Sequence, residues 1–194
     1  MAPALRMAIS MLVLMTVLLG IGYPLLITGI AQLVFPDQAN GSLIRQGDTV
    51  IGSSLIGQYF SKPEYFHPRP SAAHAVGAGP GYDPLNSGGT NLAPSSQRLV
   101  DAVTAAVQAN QPDNPGTPVP GDLVTASASG LDPDISPAAA EFQISRVAKA
   151  RGLPEDMVRE LVKKATKGRT LALFGEPRVN VLKLNMLLDS STAK

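Results

Sequence analysis

The stretch MAISMLVLMTVLLGIGYPLLITGIAQLVF, residues 7–35, decides the fold because it contains no Asp, Glu, Lys, Arg or His. As an α-helix, a stretch of about 29 residues is about 43 Å long, whereas the hydrocarbon core of a bilayer is about 30 Å thick. A cleaved signal peptide has an apolar region of only about 7–15 residues. The length of residues 7–35 also disfavours the alternative of a buried core helix in a soluble protein. The sequence therefore predicts an uncleaved transmembrane helix over residues 7–35.

Small and polar residues recur at every fourth position of this helix, namely Thr16, Gly20, Pro24, Thr28 and Gln32. Small residues let helices approach closely, and Thr or Gln can form hydrogen bonds across a helix interface. We therefore predict that these five residues pack against another membrane subunit, although Gly and Pro are common in transmembrane helices generally. Because Pro24 has no N–H, the sequence also predicts a kink or local unwinding near residues 20–24.

Basic residues beside the span predict its orientation. Arg6 precedes the span, whereas Asp37 follows it and no basic residue occurs before Arg45. The positive-inside rule then places the N-terminus in the cytoplasm. The predicted organisation is a cytoplasmic N-terminus at residues 1–6, a transmembrane helix at 7–35, and one extracytoplasmic domain at 36–194.

Composition limits the function classes. The net charge of +1 gives no general case for binding nucleic acid, and the absence of Cys excludes disulfides, thiolate metal sites and Cys nucleophiles. The charge is unevenly distributed: residues 35–140 hold four basic and nine acidic side chains, whereas residues 141–194 hold eleven basic and six acidic ones. The part after the span is therefore dipolar.

Local patterns predict an α+β domain, because short strands and helices occur without a βαβ rhythm. Val50, Leu55 and Ile56 are predicted to contribute to the core. A long Gly- and Pro-rich loop is predicted over residues 61–94, and loops of this length are often functional. The predicted strands are residues 42–45, 49–54 and 123–130. The predicted helices begin at Ser95 or Ser96, Pro137, Pro154 and Asn180, with Gly168 ending the third, and a strand over residues 179–184 is the alternative to the start of the last helix.

Motifs that carry chemistry are sparse. The sequence has no GxxxxGK[ST] phosphate loop and no GxSxG nucleophile elbow, and the spacing of its only histidines, His67 and His74, does not suggest a metal site. Ser127 and Ser129 could be drawn as hydrolase nucleophiles, but turn formation explains them more simply. We therefore predict no catalytic residue and no metal ligand. Arg69, held between two prolines, could bind a carboxylate or form a structural salt bridge.

Six segments of the chain together form a recognisable pattern: YPLLITGIAQLVFP (23–36), GSLI (41–44), GSSLIGQYFSKPEYFHPRPSA (52–72), NSGGTNLAP (86–94), DLVTASASGLDPDISPAAAEFQISRVAKARG (122–152) and VNVLKLNMLLD (179–189). Together they resemble the C subunit of the bacterial Kdp-type potassium-transporting ATPase. They extend from the membrane helix to the last predicted helix, so the resemblance covers nearly the whole chain. Two positions depart from the usual pattern of that family: Asp134 stands where His is common, and Thr90 stands where Ser is more usual.

The resemblance implies an accessory, noncatalytic subunit of an ATP-driven potassium uptake complex in the bacterial inner membrane. Its partners would be a channel-like potassium-binding subunit, a P-type ATPase subunit and membrane lipid. The resemblance also implies a catalytic chaperone that raises the ATP affinity of the ATPase subunit. The predicted topology conflicts with direct contact to a cytoplasmic nucleotide, so we expect ATP to be involved only through the complex.

Residues of the soluble domain that could contact the partners all lie in the segments that carry the resemblance. Two functions of other classes remain open at this point: a membrane-anchored extracytoplasmic hydrolase, and a ligand-binding lid. The candidate contacts are Arg69, Asn86, Asn91 and Asp132.

Overall fold

The computed structural model describes residues 3–74 and 81–192, and the chain divides into two compact units, Met1–Ser53 and Ser54–Lys194. The predicted α+β class is confirmed. The helices are α1 (Pro3–Met15), α2 (Tyr23–Val34), α3 (Pro36–Ala39), α4 (Gln97–Asn110), α5 (Pro137–Arg151), α6 (Glu155–Ala165) and α7 (Val181–Thr192). The strands are β1 (Leu43–Gln46), β2 (Thr49–Ser53), β3 (Asp134–Ile135), β4 (Thr166–Lys167) and β5 (Arg178–Asn180).

The first unit contains the apolar helix. Helical structure is continuous over Pro3–Val34, and this is the one helix of the described residues that is long and apolar enough to cross a membrane. A π-helical segment, Thr16–Gly22, joins α1 to α2. The N–H of Tyr23 donates to the carbonyl of Leu18, five residues earlier. The predicted departure from α-helical geometry is therefore present, directly before Pro24, whose missing N–H already interrupts the ladder.

A short antiparallel hairpin, β1 and β2, completes the first unit, as the sequence predicts. Its side chains are poorly buried: Val50 is exposed, and so are Leu55 and Ile56 just beyond the hairpin. The prediction that these three residues contribute to the core is wrong. Val50 belongs to a two-stranded hairpin, which is too small to bury a face of its own. Leu55 and Ile56 lie beyond the hairpin and line a surface cleft.

The second unit is built from α5, α6 and α7 around an antiparallel sheet of order β3-β5-β4. Ser136 begins α5 as predicted, because its Oγ accepts a hydrogen bond from the N–H of Ala139, and Pro137 occupies the first helical position. Helix α5 ends at Gly152, which adopts a left-handed conformation. The predicted stripe of α5 is buried, namely Ala140, Ile144, Val147 and Ala148.

Two local predictions are wrong. Residues 123–130 form no strand, because their backbone groups bond to turns and to a distant loop: Thr125 N–H donates to Gly121, and Ser127 N–H donates to Pro70. Helix α6 ends at Ala165 rather than near Gly168, because β4 begins at Thr166 and pairs with β5. In both places tertiary pairing overrides the local pattern.

Candidate functional site

The long loop contributes to the core of the second unit, although its described residues form no helix or strand. Phe66 is completely buried. Two buried side-chain amides form hydrogen bonds with the backbone of Phe66 and His67. Each amide bonds both the N–H and the C=O of one residue, as a neighbouring strand would. Asn185 of α7 accepts from Phe66 N–H at 2.9 Å and donates to Phe66 C=O at 3.1 Å. Gln143 of α5 accepts from His67 N–H at 2.7 Å and donates to His67 C=O at 3.2 Å.

Arg146 of α5 completes this attachment. Its guanidinium forms a 2.7 Å ion pair with Asp113 and donates to the carbonyls of Pro63 and Tyr65 at 2.6 and 2.9 Å. It also donates to the Gln143 side-chain oxygen at 2.7 Å, which fixes the amide that binds the loop. The Arg146 and Asp113 side chains are only 12% and 16% exposed. The loop is therefore held rigidly from one side, which positions the residues that follow it.

The next residues of the loop form a junction with residues 127–134, which we call the Arg69 junction. Arg69 donates to Asp132 at 3.0 Å, and both side chains are partly exposed. Asp132 also accepts from the N–H of Asp134, whose other partners are Arg178, at 3.0 Å, and Asn180. The ion pair foreseen for Arg69 is thus present, and Asp134 forms an ion pair of its own with Arg178.

Hydrogen bonds between side-chain hydroxyls and backbone groups make the Arg69 junction rigid. Ser71 donates to the carbonyl of Gly130 at 2.6 Å and accepts from the N–H of Tyr82. The Tyr82 hydroxyl donates to the carbonyl of Arg69 at 2.8 Å. Burial raises the pKa of this hydroxyl above its ordinary value, and the charge of Asp132 adds to the effect, so Tyr82 acts here as a neutral donor.

Arg69 borders three surface clefts, of about 310, 410 and 540 Å³. The first lies between the loop and α4 and includes His67 and Tyr82. The third places the exposed apolar side chains of Leu55 and Ile56 beside Arg69 and Asp132. Arginine is enriched at protein interfaces, and the fully buried centre of an interface is more apolar than the rest of the surface.

Two other candidate contacts, Asn86 and Asn91, lie on an exposed part of the loop. Asn86 donates to Asp83, and Asn91 donates to the nearby carbonyl of Gly89. Gly88, between them, donates to the carbonyl of Ser129, so this part also attaches to the second half of the Arg69 junction. Residues 75–80 of the loop lie outside the described residues. The structure brings Arg69 and Asp132 together, and the role of all four residues in partner contact stays a prediction.

The described part of the molecule does not assemble the hydrolase alternative. Ser127 is 5% exposed, and the hydroxyl of Ser129 accepts from the N–H of Leu131 in a turn. Both serines line the cleft beside Leu55, whereas His67 lines a different cleft. The arrangement is that of turn-forming serines rather than of a nucleophile beside a base.

His67 predicts a dependence of stability on pH. Burial is the main cause that lowers the pKa of its imidazole, and nearby Arg146 adds to it. In the unfolded chain the imidazole takes up a proton near its ordinary value of 6.5. In the folded protein it does so only at lower pH. We therefore expect the free energy of unfolding to fall as the pH drops from about 6.5 to the lowered pKa, and to be independent of this group above 6.5.

Urea unfolding of the full chain in detergent, repeated from pH 8 to pH 5, measures this effect. The His67→Gln variant should flatten the acid limb of the stability curve relative to the parent chain. An equally steep limb in both proteins would show that His67 does not cause it.

The predicted membrane stripe spans two kinds of helix. Thr16 begins the π-helical segment and Gly20 lies inside it, whereas Pro24, Thr28 and Gln32 lie in α2. The Gln32 amide already exchanges hydrogen bonds with Asn40, at 3.1 and 3.4 Å. Gln32 therefore has a partner within the chain. Packing of the stripe against another subunit stays a prediction.

The sequence did not indicate Gln143 and Asn185, although a signal was present. Each is a polar residue at apolar-stripe spacing: Gln143 lies four residues before Val147, and Asn185 lies four residues after Val181. Each is 1% exposed. A polar side chain on the buried face of a helix needs a hydrogen-bond partner, and here that partner is the loop backbone.

Comparison with known proteins supports the resemblance over nearly the whole chain. Residues 5–190 match the model of the family described as "K+-transporting ATPase, c chain". The chain belongs to this family. Curated relatives named "Potassium-transporting ATPase KdpC subunit" are 55% identical in Koribacter versatilis, over 95% of this chain and 93% of the relative, and 56% identical in Allorhizobium ampelinum, over 97% of each. A relative of the same name from Rhodopseudomonas palustris is 54% identical over the full length of both chains.

Membership of the c-chain family confirms the resemblance derived from the sequence. The protein is a subunit of a potassium-transporting ATPase complex, and its apolar helix suits single-pass anchoring in the membrane. The Arg69 junction lies within the matched residues, as does the predicted membrane stripe.

Proposed function

We propose that the protein is a noncatalytic accessory subunit that assembles and stabilises the channel-like potassium-binding subunit and the P-type ATPase subunit. The observation that carries the proposal is the Arg69 junction. It presents a partly exposed ion pair and two exposed aliphatic side chains on a backbone fixed by hydrogen bonds. A preformed surface loses little conformational entropy on docking. The relatives are named as subunits of a potassium-transporting ATPase, which supports an assembly role.

We infer that the N-terminus lies in the cytoplasm and the second unit outside it, on the strength of Arg6 before the span. In that orientation the chain raises the ATP affinity of the ATPase subunit only indirectly, through the assembled complex, and holds no ATP itself. A cysteine replacing Asn114 should react with an impermeant reagent in intact cells. Reaction only after lysis would reverse the orientation and favour direct contact with ATP.

We expect Leu55→Glu to weaken co-purification of the other two subunits without changing the thermal midpoint of the chain. Leu55 is 61% exposed, so the substitution removes no core contact. It introduces a charge into the centre of the proposed interface. Loss of one central anchor weakens binding by about 2 kcal/mol, which is about 30-fold in affinity. Val100, which is 51% exposed on α4, provides the control as Val100→Glu, which should co-purify normally.

A charge exchange separates a structural role of Arg69 from a docking role. Arg69→Asp together with Asp132→Arg keeps an internal ion pair but reverses the charges that a partner meets. We expect stability to recover relative to Arg69→Asp alone, while co-purification stays weak. Recovery of both would show that the pair only stabilises the domain.

A further inference from the structure

We propose that a loop between β4 and β5, residues 169–176, is a membrane-contact loop that inserts into a bilayer surface containing anionic lipid. Three large apolar side chains form its tip: Leu171 is 80% exposed, Leu173 is 74% exposed and Phe174 is 64% exposed. Transfer of such side chains out of water is favourable in proportion to the apolar area that becomes buried. Three such groups within four residues form a compact apolar projection.

Two residues at the tip of the loop, Leu171 and Ala172, have a strained backbone conformation. Leu171 and Ala172 have φ of 53° and 61°, the left-handed region that glycine or asparagine normally occupies in tight turns. A turn formed for stability alone would have Asn-Gly at these positions. Holding a leucine there presents an apolar group to solvent at the expense of backbone strain, which points to a contact outside the chain.

The loop is also held in shape. Arg169 binds both carboxylate oxygens of Glu176 at 2.8 Å, which closes the base of the loop. Thr170 and Phe174 exchange backbone hydrogen bonds at 2.8 and 2.9 Å directly below the tip. The tip is therefore presented in one conformation and needs little ordering when it is buried.

Charge and anchoring favour a bilayer as the occupant. Residues 163–178 contain five basic side chains, and three of them form ion pairs with carboxylates. Lys164 and Lys167 flank the loop and are exposed. An apolar tip with basic residues beside it suits the headgroup region of an anionic membrane. The chain also carries its own span, so the second unit always has a bilayer at high local concentration.

The test uses the full chain reconstituted into vesicles of equal parts phosphatidylcholine and phosphatidylglycerol. Because the chain contains no Cys, Leu173→Cys can carry a single environment-sensitive fluorophore. We expect lipids bearing a quencher on their acyl chains to quench this fluorophore. A fluorophore at Gln108→Cys, on the exposed surface of α4, should remain unquenched.

Variants of the tip and of the flanking lysines then separate the apolar contribution to membrane binding from the electrostatic one. Leu171→Ser with Phe174→Ser should abolish the quenching at position 173. Lys164→Glu with Lys167→Glu should remove its dependence on phosphatidylglycerol. Equal quenching at positions 173 and 108 would overturn the proposal. A fluorophore at position 173 that the lipids do not quench, and that leaves water only when the other subunits are present, would overturn the proposal in favour of a protein partner. Leu55→Glu should leave the quenching unchanged, so this test fails or succeeds independently of the Arg69 junction.

Discussion

Replacement of Arg146 by alanine is expected to lower the free energy of unfolding of the second unit by about 3–5 kcal/mol. The substitution leaves the largely buried carboxylate of Asp113, whose side chain is 16% exposed, without its cation. It also leaves the carbonyls of Pro63 and Tyr65 and the side chain of Gln143 without their donor. A buried group that loses its partner incurs its full desolvation penalty, which exceeds the net value of the bond it made.

Urea unfolding of the full chain in detergent, followed by circular dichroism, measures the change. Arg159→Ala is the matched control: Arg159 also binds several carboxylates, but its partners are exposed side chains of α5 and α6. Solvent screens such pairs, so the control should unfold close to the parent chain. Similar losses in the two variants would mean that the Arg146 network is no stronger than a surface ion pair.

Asp113→Ala, alone and combined with Arg146→Ala, shows which broken interaction lowers the free energy of unfolding. If an unpaired charge dominates, Asp113→Ala alone should also be strongly destabilising, because it leaves the Arg146 guanidinium buried without a counter-ion. The double variant should then lose less than the sum of the two single variants. Because Arg146 also binds the loop backbone, the double variant should still be less stable than the parent.

Sequence patterns predicted those parts of the fold whose hydrogen bonds are local. The start of α5 followed from Ser136 and Pro137, because a cap and its partner lie three residues apart. Asn180, predicted to cap the last helix, likewise accepts from the N–H of Lys183. The span followed from composition alone, since length and absence of charge determine what a bilayer accepts.

The attachment of the long loop could not be predicted in the same way. Phe66 and Asn185 exchange hydrogen bonds across 119 residues, and His67 and Gln143 do so across 76. The local periodicity of the sequence contains no information about hydrogen bonds between residues so far apart. The loop looked irregular because side-chain amides, rather than a strand, satisfy its backbone. Another long-range bond, from the N–H of Ser127 to the carbonyl of Pro70, joins the end of the alternating segment 123–130 to the Arg69 junction, and the segment forms no strand.

Of the candidate site, the ion-pairing tendency of Arg69 was predictable from its position between two prolines, but its partner was not. The LDPDIS segment contains two aspartates, and the sequence does not distinguish them. In the folded chain Asp132 binds Arg69 while Asp134 binds Arg178. The exposure of Leu55 and Ile56 was also unpredictable, because an apolar run favours burial until the packing around it is known.

Gly130→Ala is expected to lower the free energy of unfolding by about 2–4 kcal/mol and to disrupt the Arg69 junction. Gly130 has φ of 68°, and a Cβ there would lie 2.7 Å from the Cβ of Ala73 and 2.7 Å from the carbonyl oxygen of Gly88. Neither is the end of a flexible side chain, so the two loop segments must separate. That movement would also weaken the bond from Ser71 to the carbonyl of Gly130.

Gly152→Ala isolates the close approach from the backbone strain. Gly152 has nearly the same φ, 66°, but no neighbouring atom lies within 4 Å of the position that a Cβ would occupy. The control should therefore lose only the cost of a left-handed alanine, about 1 kcal/mol. The excess loss in Gly130→Ala over Gly152→Ala, measured by urea unfolding, reports how tightly the two halves of the Arg69 junction pack.

If that packing presents Arg69 and Leu55 to the partner subunits, Gly130→Ala should also reduce their co-purification at a temperature where the variant is folded, whereas Gly152→Ala should not. Equal losses of stability in the two variants would show that the halves can move apart freely, which would remove the rigid surface on which the docking proposal depends.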